Sequence, residues 1–192
     1  LEALRQPLED RVVTISRAQG TVTYPASFML VAAMNPCPCG FLGDTVKECL
    51  CSPGEVARYA KRISGPLLDR VDIFVDVPRV EYEKLADGQA GEPSERVRAR
   101  VEAARQAQRE RFGGRGPACN ADARAPEVRD LCQPEPSARS LLRTAMRQLS
   151  LSARGFHRIL KVARTIADLD GSAVIRTRHV AEAVQYRPRG LA

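Results

Sequence analysis

Four cysteines lie in a C-x-C-x9-C-x-C array at Cys37, Cys39, Cys49 and Cys51. A tetrahedral all-cysteine zinc site needs four sulfurs about 2.3 Å from one ion. Two short-range pairs joined by a loop can deliver that set, and Pro36, Pro38 and Gly40 supply the turn. Four thiolates leave no open coordination position, so such a metal would be structural rather than catalytic. C-x-C is less diagnostic than C-x-x-C, so an unmetallated cluster and an iron–sulfur or redox centre stand as competing readings. Two residues before the array, Asn35 ends the apolar run 28–34. A polar side chain at the end of a buried strand is a typical place for chemistry.

Nucleotide chemistry has no phosphate-cradling loop to rest on here. None of the thirteen glycines is followed by lysine, so G-x-x-x-x-G-K-[ST] is absent. Ile73-Phe74-Val75-Asp76 has the form of a strand ending in a magnesium-binding acid, but Val77 stands where a catalytic glutamate would be expected. On this ground the chain does not bind a nucleotide alone.

These residues need elements to hold them. A helix tail over 1–6 should stop at Pro7. β-Branched runs 12–15 and 21–24 flank a Gly20-containing turn and predict a β-hairpin. The runs 28–34 and 71–77 predict core strands. Ser52-Pro53-Gly54-Glu55 is a capping box and should open a helix to about residue 62. Helices are expected over 94–112, 137–149, 153–168 and 177–186, the last capped by Thr177, with a Pro-rich loop from 117 to 136. The expected fold is therefore an α/β part at 1–80 carrying the cysteine loop 37–51, a linker at 81–93, and an all-α part at 94–192.

With 44% hydrophobic and 28% charged residues, the composition is that of a globular chain, and no apolar stretch approaches the length of a membrane span. Six cysteines without a secretory signal favour a reducing compartment such as the cytoplasm. A net charge of +7, carried almost wholly by arginine, fits either an anionic partner such as nucleic acid or a GC-rich genome. Leu1 and Leu4 have helical spacing, as if the chain began within a longer protein.

Four blocks then come in a telling order: Leu4-Arg5-Gln6-Pro7-Leu8-Glu9-Asp10, Asn35-Pro36-Cys37-Pro38-Cys39-Gly40, Ser64-Gly65-Pro66-Leu67-Leu68-Asp69-Arg70-Val71-Asp72, and Ser152-Ala153-Arg154-Gly155-Phe156-His157-Arg158 followed by residues 163–169. With them the chain resembles the C-terminal part of magnesium-chelatase-like AAA+ ATPases of the bacterial ComM/YifB type. The resemblance implies an AAA+ core portion followed by a helical lid, with ATP and Mg2+ as cofactors of the intact protein. It makes Asn35 the sensor 1 residue that orients the attacking water. Arg70 becomes the arginine finger, with Arg62 as fallback, against a plain salt bridge to Asp69 or Asp72. Arg154 becomes sensor 2, with Arg158 as runner-up. It places the hairpin in a central pore, where Arg11 and Arg17 would meet DNA phosphates, against a merely solvated hairpin tip. His157 and His179 read as surface or packing residues.

The expectation is a homo-hexameric ATPase acting on single-stranded or branched DNA, through ATP-driven branch migration in recombination or natural transformation. The alternatives are a non-enzymatic zinc module that binds nucleic acid and a chelatase-type subunit that inserts Mg2+ into a porphyrin. No membrane partner is expected.

Overall fold

The computed structural model describes residues 1–80, 82, 86, 91–114 and 116–187. It divides into two compact units, the first within Leu1–Val71 and Asp76–Arg79, the second within Asp72–Val75 and Val80–Arg189. Most of the expected linker at 81–93 lies outside the described residues.

In the first unit a short 3-10 turn, Glu2–Leu4, runs into α1 (Arg5–Asp10). Pro7, expected to end a helix, instead sits inside α1 and is buried. A proline in a first turn forfeits only an N–H that would have no intrahelical acceptor. Arg11 closes α1 in the left-handed region (φ 58, ψ 25), its N–H donating to the Pro7 carbonyl. The expected hairpin follows as β1 (Val12–Arg17) and β2 (Gly20–Pro25), antiparallel, with Arg17 opposite Gly20 across a two-residue turn. Hydroxyl pairs lace it together, Thr14 with Thr23 at 3.2 Å and Thr21 with Ser16 at 3.1 Å.

The capping box opens α2 (Pro53–Ala60) as expected: the Glu55 N–H donates to Ser52 Oγ at 3.3 Å, and the Ser52 N–H donates to Glu55 Oε2 at 2.8 Å. Ser64 caps α3 (Gly65–Leu68) by accepting from the Leu67 N–H at 3.3 Å, and Leu67 is buried.

Neither run expected to be a core strand is one. Residues 28–34 and 71–77 make no ladder, and Met29 and Val75 are 90% and 66% exposed. A strand buried on both faces needs a neighbour at each edge. Among the described residues the two strands of the hairpin pair only with each other. The chain is thus mixed and mainly helical with a small two-stranded sheet, rather than showing a wound α/β sheet.

The second unit contains α4 (Ser94–Phe112), a 3-10 turn Asn120–Asp122, α5 (Ala125–Leu131), α6 (Pro136–Gln148), α7 (Ala153–Leu169) and α8 (Thr177–Gln185). On α4, Ala104 and Gln108 are buried, whereas Val97 and Val101, earlier on the same face, are 39% and 46% exposed. The core is built on α7, where Ile159, Leu160, Ala163 and Ala167 fall on one helical face and meet Val128, Leu142, Ile175 and Val180. α5 occupies the stretch expected to be loop. Pro126 stands in its first turn, and Val128 and Cys132 turn its inner face to the core. No helix among the described residues is long and apolar enough to cross a membrane.

Arg176, not Thr177, is the N-cap of α8. The Arg176 N–H donates to His179 Nδ1 at 3.0 Å, and His179 Nε2 lies 3.0 Å from Asp170 Oδ2 and 3.2 Å from Arg178 Nε. Thr177 gives its N–H and hydroxyl to Glu135 Oε1 at 2.9 and 3.1 Å, tying the starts of α6 and α8. The Thr177 backbone bond first, then the Ser137 hydroxyl, hold the Glu135 carboxyl below its usual range. The His179 and Arg178 side chains do the same to Asp170. A carboxyl whose folded pKa is depressed stabilises the fold above its unfolded value and loses that contribution as pH falls through the folded one. Melting temperature should therefore decline below about pH 4.5. Glu135→Gln should flatten that decline; an identical slope in wild type and variant would remove Glu135 from the account.

Candidate functional site

The cysteine array folds as a compact knuckle. Four sulfurs each about 2.3 Å from one ion stand about 3.8 Å apart at the corners of a tetrahedron. Here Cys37 Sγ lies 3.4 Å from Cys39 Sγ and 3.7 Å from Cys49 Sγ, and Cys39 Sγ lies 3.6 Å from Cys49 Sγ. All four sulfurs, Cys51 included, fall within 4.8 Å of one another. Cys37 is fully buried, and the cysteines are free thiols. The spacing fits a single tetrahedral dication of zinc's size, and the all-sulfur set suits a soft or borderline ion.

Local bonds prepare this arrangement. Gly40 (φ +83) lets its N–H return to the Cys37 carbonyl at 3.0 Å. Inside the loop, Asp44 Oδ1 accepts from the N–H groups of Val46 and Lys47 at 2.7 and 3.0 Å, with Arg79 3.5 Å from its other oxygen. A backbone bond from Phe41, outweighing burial, lowers the Cys39 thiol to about 6. A backbone bond from Cys39 favours the Cys51 thiolate, but the Cys39 sulfur and burial outweigh it and raise that thiol to about 12. Binding a dication would demand all four as thiolates and release the remaining protons.

Asn35 is not at the end of a strand. It is exposed, and its side chain lies over the knuckle: a Cβ on Gly40 would stand 3.8 Å from both Asn35 Cγ and Nδ2. Asn35 thus stands beside the Gly40 turn of the knuckle.

Arg70 follows α3. Its guanidinium pairs with Glu9, and its Nη1 donates to the Pro66 carbonyl at 2.6 Å. The side chain is only 8% exposed. The sequence offered Asp69 and Asp72 as ion-pair alternatives to the finger role; Glu9 of α1 is a partner it did not offer. Arg62 is exposed, over the Tyr59 ring at 5.8 Å. Arg11 and Arg17 are both exposed but stand at opposite ends of β1, at the foot and the tip of the hairpin.

Arg154 and Arg158 belong to the helical unit. Arg154 is exposed in the first turn of α7, where Ser152 caps the helix by accepting from the Gly155 N–H at 3.1 Å. A cation there opposes the helix dipole, while the same end attracts anions. Arg158, one turn on, pairs with Asp72. His157 is half-buried, edge-on to Phe156, and His179 is buried in the α8 cap, both as packing residues.

A further cluster was not apparent from the sequence. Asp168, with a side chain 1% exposed, accepts from Arg111 through both oxygens, from Arg164 Nε at 3.0 Å, and from Asn120 Nδ2 at 2.8 Å. Arg164 also donates to the Ala173 carbonyl at 2.8 Å. The i,i+4 spacing of Arg164 and Asp168 was the visible signal; Arg111 lies fifty-seven positions away.

Residues 1–85 match the family model described as magnesium chelatase, subunit ChlI, and residues 91–187 match the model described as magnesium chelatase, subunit ChlI C-terminal. The chain is 44% identical over 188 residues to Competence protein ComM of Haemophilus influenzae, covering 97% of this chain and 36% of that protein. It is 42% identical over 188 residues to the Escherichia coli protein YifB, with 97% and 36% covered. With the Mycobacterium tuberculosis protein Rv2897c it shares 40% over 190 residues, with 99% and 37% covered. The chain spans a little over a third of the length of these relatives.

Proposed function

The chain belongs to the magnesium chelatase subunit ChlI family, and from that premise we propose that it is part of an AAA+ ATPase that forms a homo-hexamer and acts on single-stranded or branched DNA in the bacterial cytoplasm. Its work there would be ATP-driven branch migration in recombination or natural transformation. The observation that carries this reading is the 44% identity with a competence protein over 97% of the chain, rather than with one half only. Residues 1–80 would be the C-terminal portion of the AAA+ core and residues 94–192 its lid.

Within that reading, ATP and Mg2+ supply the phosphoryl chemistry, with the phosphate-cradling loop coming from elsewhere in the whole protein. Asn35, steadied on the Gly40 turn, would orient the attacking water with its amide. Arg70 would offset the charge that develops on the transferring phosphoryl group. To do so its guanidinium would leave Glu9, and the ion pair would be the finger's resting state. Arg154, beside the N-terminus of α7, would sense the phosphates from the lid. At the hairpin, Arg17 at the tip and Arg11 at the foot would contact DNA phosphates. Arg11 holds a left-handed backbone that costs a non-glycine residue about 1–2 kcal/mol. The four cysteines would bind one structural Zn2+, fixing the loop beside Asn35.

The test uses the protein at the length of its relatives. ATP hydrolysis stimulated by forked DNA and unaffected by porphyrin supports the reading; stimulation by porphyrin alone would favour the chelatase alternative. Arg70→Ala should lower kcat by roughly 10³-fold while the ring still assembles. If that variant hydrolyses ATP at the wild-type rate, Arg70 is no finger.

A further inference from the structure

The helical unit carries a groove of about 750 Å³ that the ATPase chemistry leaves unused. It lies among α5, α6 and the start of α7. Its floor is apolar: Leu142 and Leu160 are buried, and Met146 and Phe156 are half-buried beside them. Its rim is cationic. Arg139, Arg143 and Arg147 follow one another at i, i+4 and i+8 along α6, and Arg129 adds a fourth from α5. All four are exposed, and among the described residues no acidic one lines the groove.

Like charges four residues apart repel on a helix. Among the described residues no carboxylate relieves that repulsion. Arg139 reaches the Gln133 side chain and the Pro134 carbonyl, each at 3.4 Å. Among the described residues, Arg129, Arg143 and Arg147 have no carboxylate in ion-pairing range. A small anion cannot satisfy charges spread over eight residues, about 12 Å of helix. Stacked bases would want a row of aromatic platforms, whereas the described lining is aliphatic apart from Phe156 and His157, which stand edge-on to each other.

We propose that the groove docks an amphipathic α-helix of a partner protein. Its apolar face fills the floor over about two turns, and Asp or Glu at matching four-residue spacing meets the arginine stripe. This is the helix-in-groove mode with charge-set register. The proposal is independent of the ATPase reading, since it uses none of Asn35, Arg70 or Arg154.

The test is fluorescence anisotropy of the full 192-residue chain with a labelled amphipathic peptide of about 16 residues, Leu on one face and Glu flanking it at i, i+4 and i+8. The expected result is saturable binding that weakens several-fold between about 50 and 200 mM salt. The Arg143→Glu, Arg147→Glu double variant should weaken it at least ~10-fold, as should Met146→Gln, with unchanged melting temperatures for both. A peptide of the same composition in permuted order should not bind. Equal binding of the permuted peptide, or no loss in the variants, overturns the proposal. So does single-stranded DNA of about 20 nucleotides that displaces the peptide and loses affinity in the double variant, which would make the groove a nucleic-acid surface. A dimer in sedimentation that Arg143→Glu dissolves would overturn it in favour of a second copy of this chain.

Discussion

Asp168→Ala is expected to destabilise the helical unit by about 3–5 kcal/mol. The carboxylate receives Arg111, Arg164 and Asn120 at once, and both it and Arg164 are almost wholly buried. Removing it leaves Arg164 as a buried cation whose charged form burial already disfavours. It also leaves the Asn120 amide short of an acceptor. For a unit of this size the melting temperature should fall by about 15–30 °C. Asp170→Ala is the control, because that carboxylate is far more exposed and should matter much less. Thermal melts by circular dichroism at pH 7 decide the matter. A drop of less than about 3 °C for Asp168→Ala would show that the cluster does not hold α4 to α7.

The second large effect belongs to the knuckle. If the four thiols hold a structural zinc, its binding is folding free energy for that loop, of order 10 kcal/mol in small zinc domains. Protein purified under reducing, chelator-free conditions should carry close to one equivalent of zinc. Cys49→Ser should bring it below about half an equivalent and lower the melting temperature well beyond Cys119→Ser, because Cys119 lies outside the array. A strong chelator should reproduce the loss in the wild type. Equal melting of the two variants, with unchanged metal content, would reduce the array to four packed thiols.

Much of the local structure was legible because its signals are local. Pro93 and Gly113 bracket the helix Ser94–Phe112, and the structure keeps those bounds. The hairpin follows from β-branched residues on both sides of Gly20, and the Ser52–Glu55 capping box needs only four residues to be read. The runs 28–34 and 71–77 failed for the opposite reason. Hydrophobicity shows that a segment wants burial, but the strand it should pair with is not written into it. Helix Ala125–Leu131 was hidden because Pro126 reads as a loop residue unless its first-turn position is known. Of the site, the four cysteines came together as their spacing required. Glu9 as the partner of Arg70 and Arg111 as the partner of Asp168 lie 61 and 57 residues away. Only tertiary packing supplies such pairs.

The turn that Asp44 makes inside the cysteine loop carries a consequence for ion discrimination. Because Val46 and Lys47 are fastened to that carboxylate, the second cysteine pair is delivered at a set reach from the first. If the four thiols hold an ion, the Cys37, Cys39 and Cys49 sulfurs, 3.4 to 3.7 Å apart, would favour one of zinc's radius. A larger thiophilic cation would have to spread those edges and pry the Asp44 turn open. The loop beside Asn35 would then loosen in proportion to the size of the intruder.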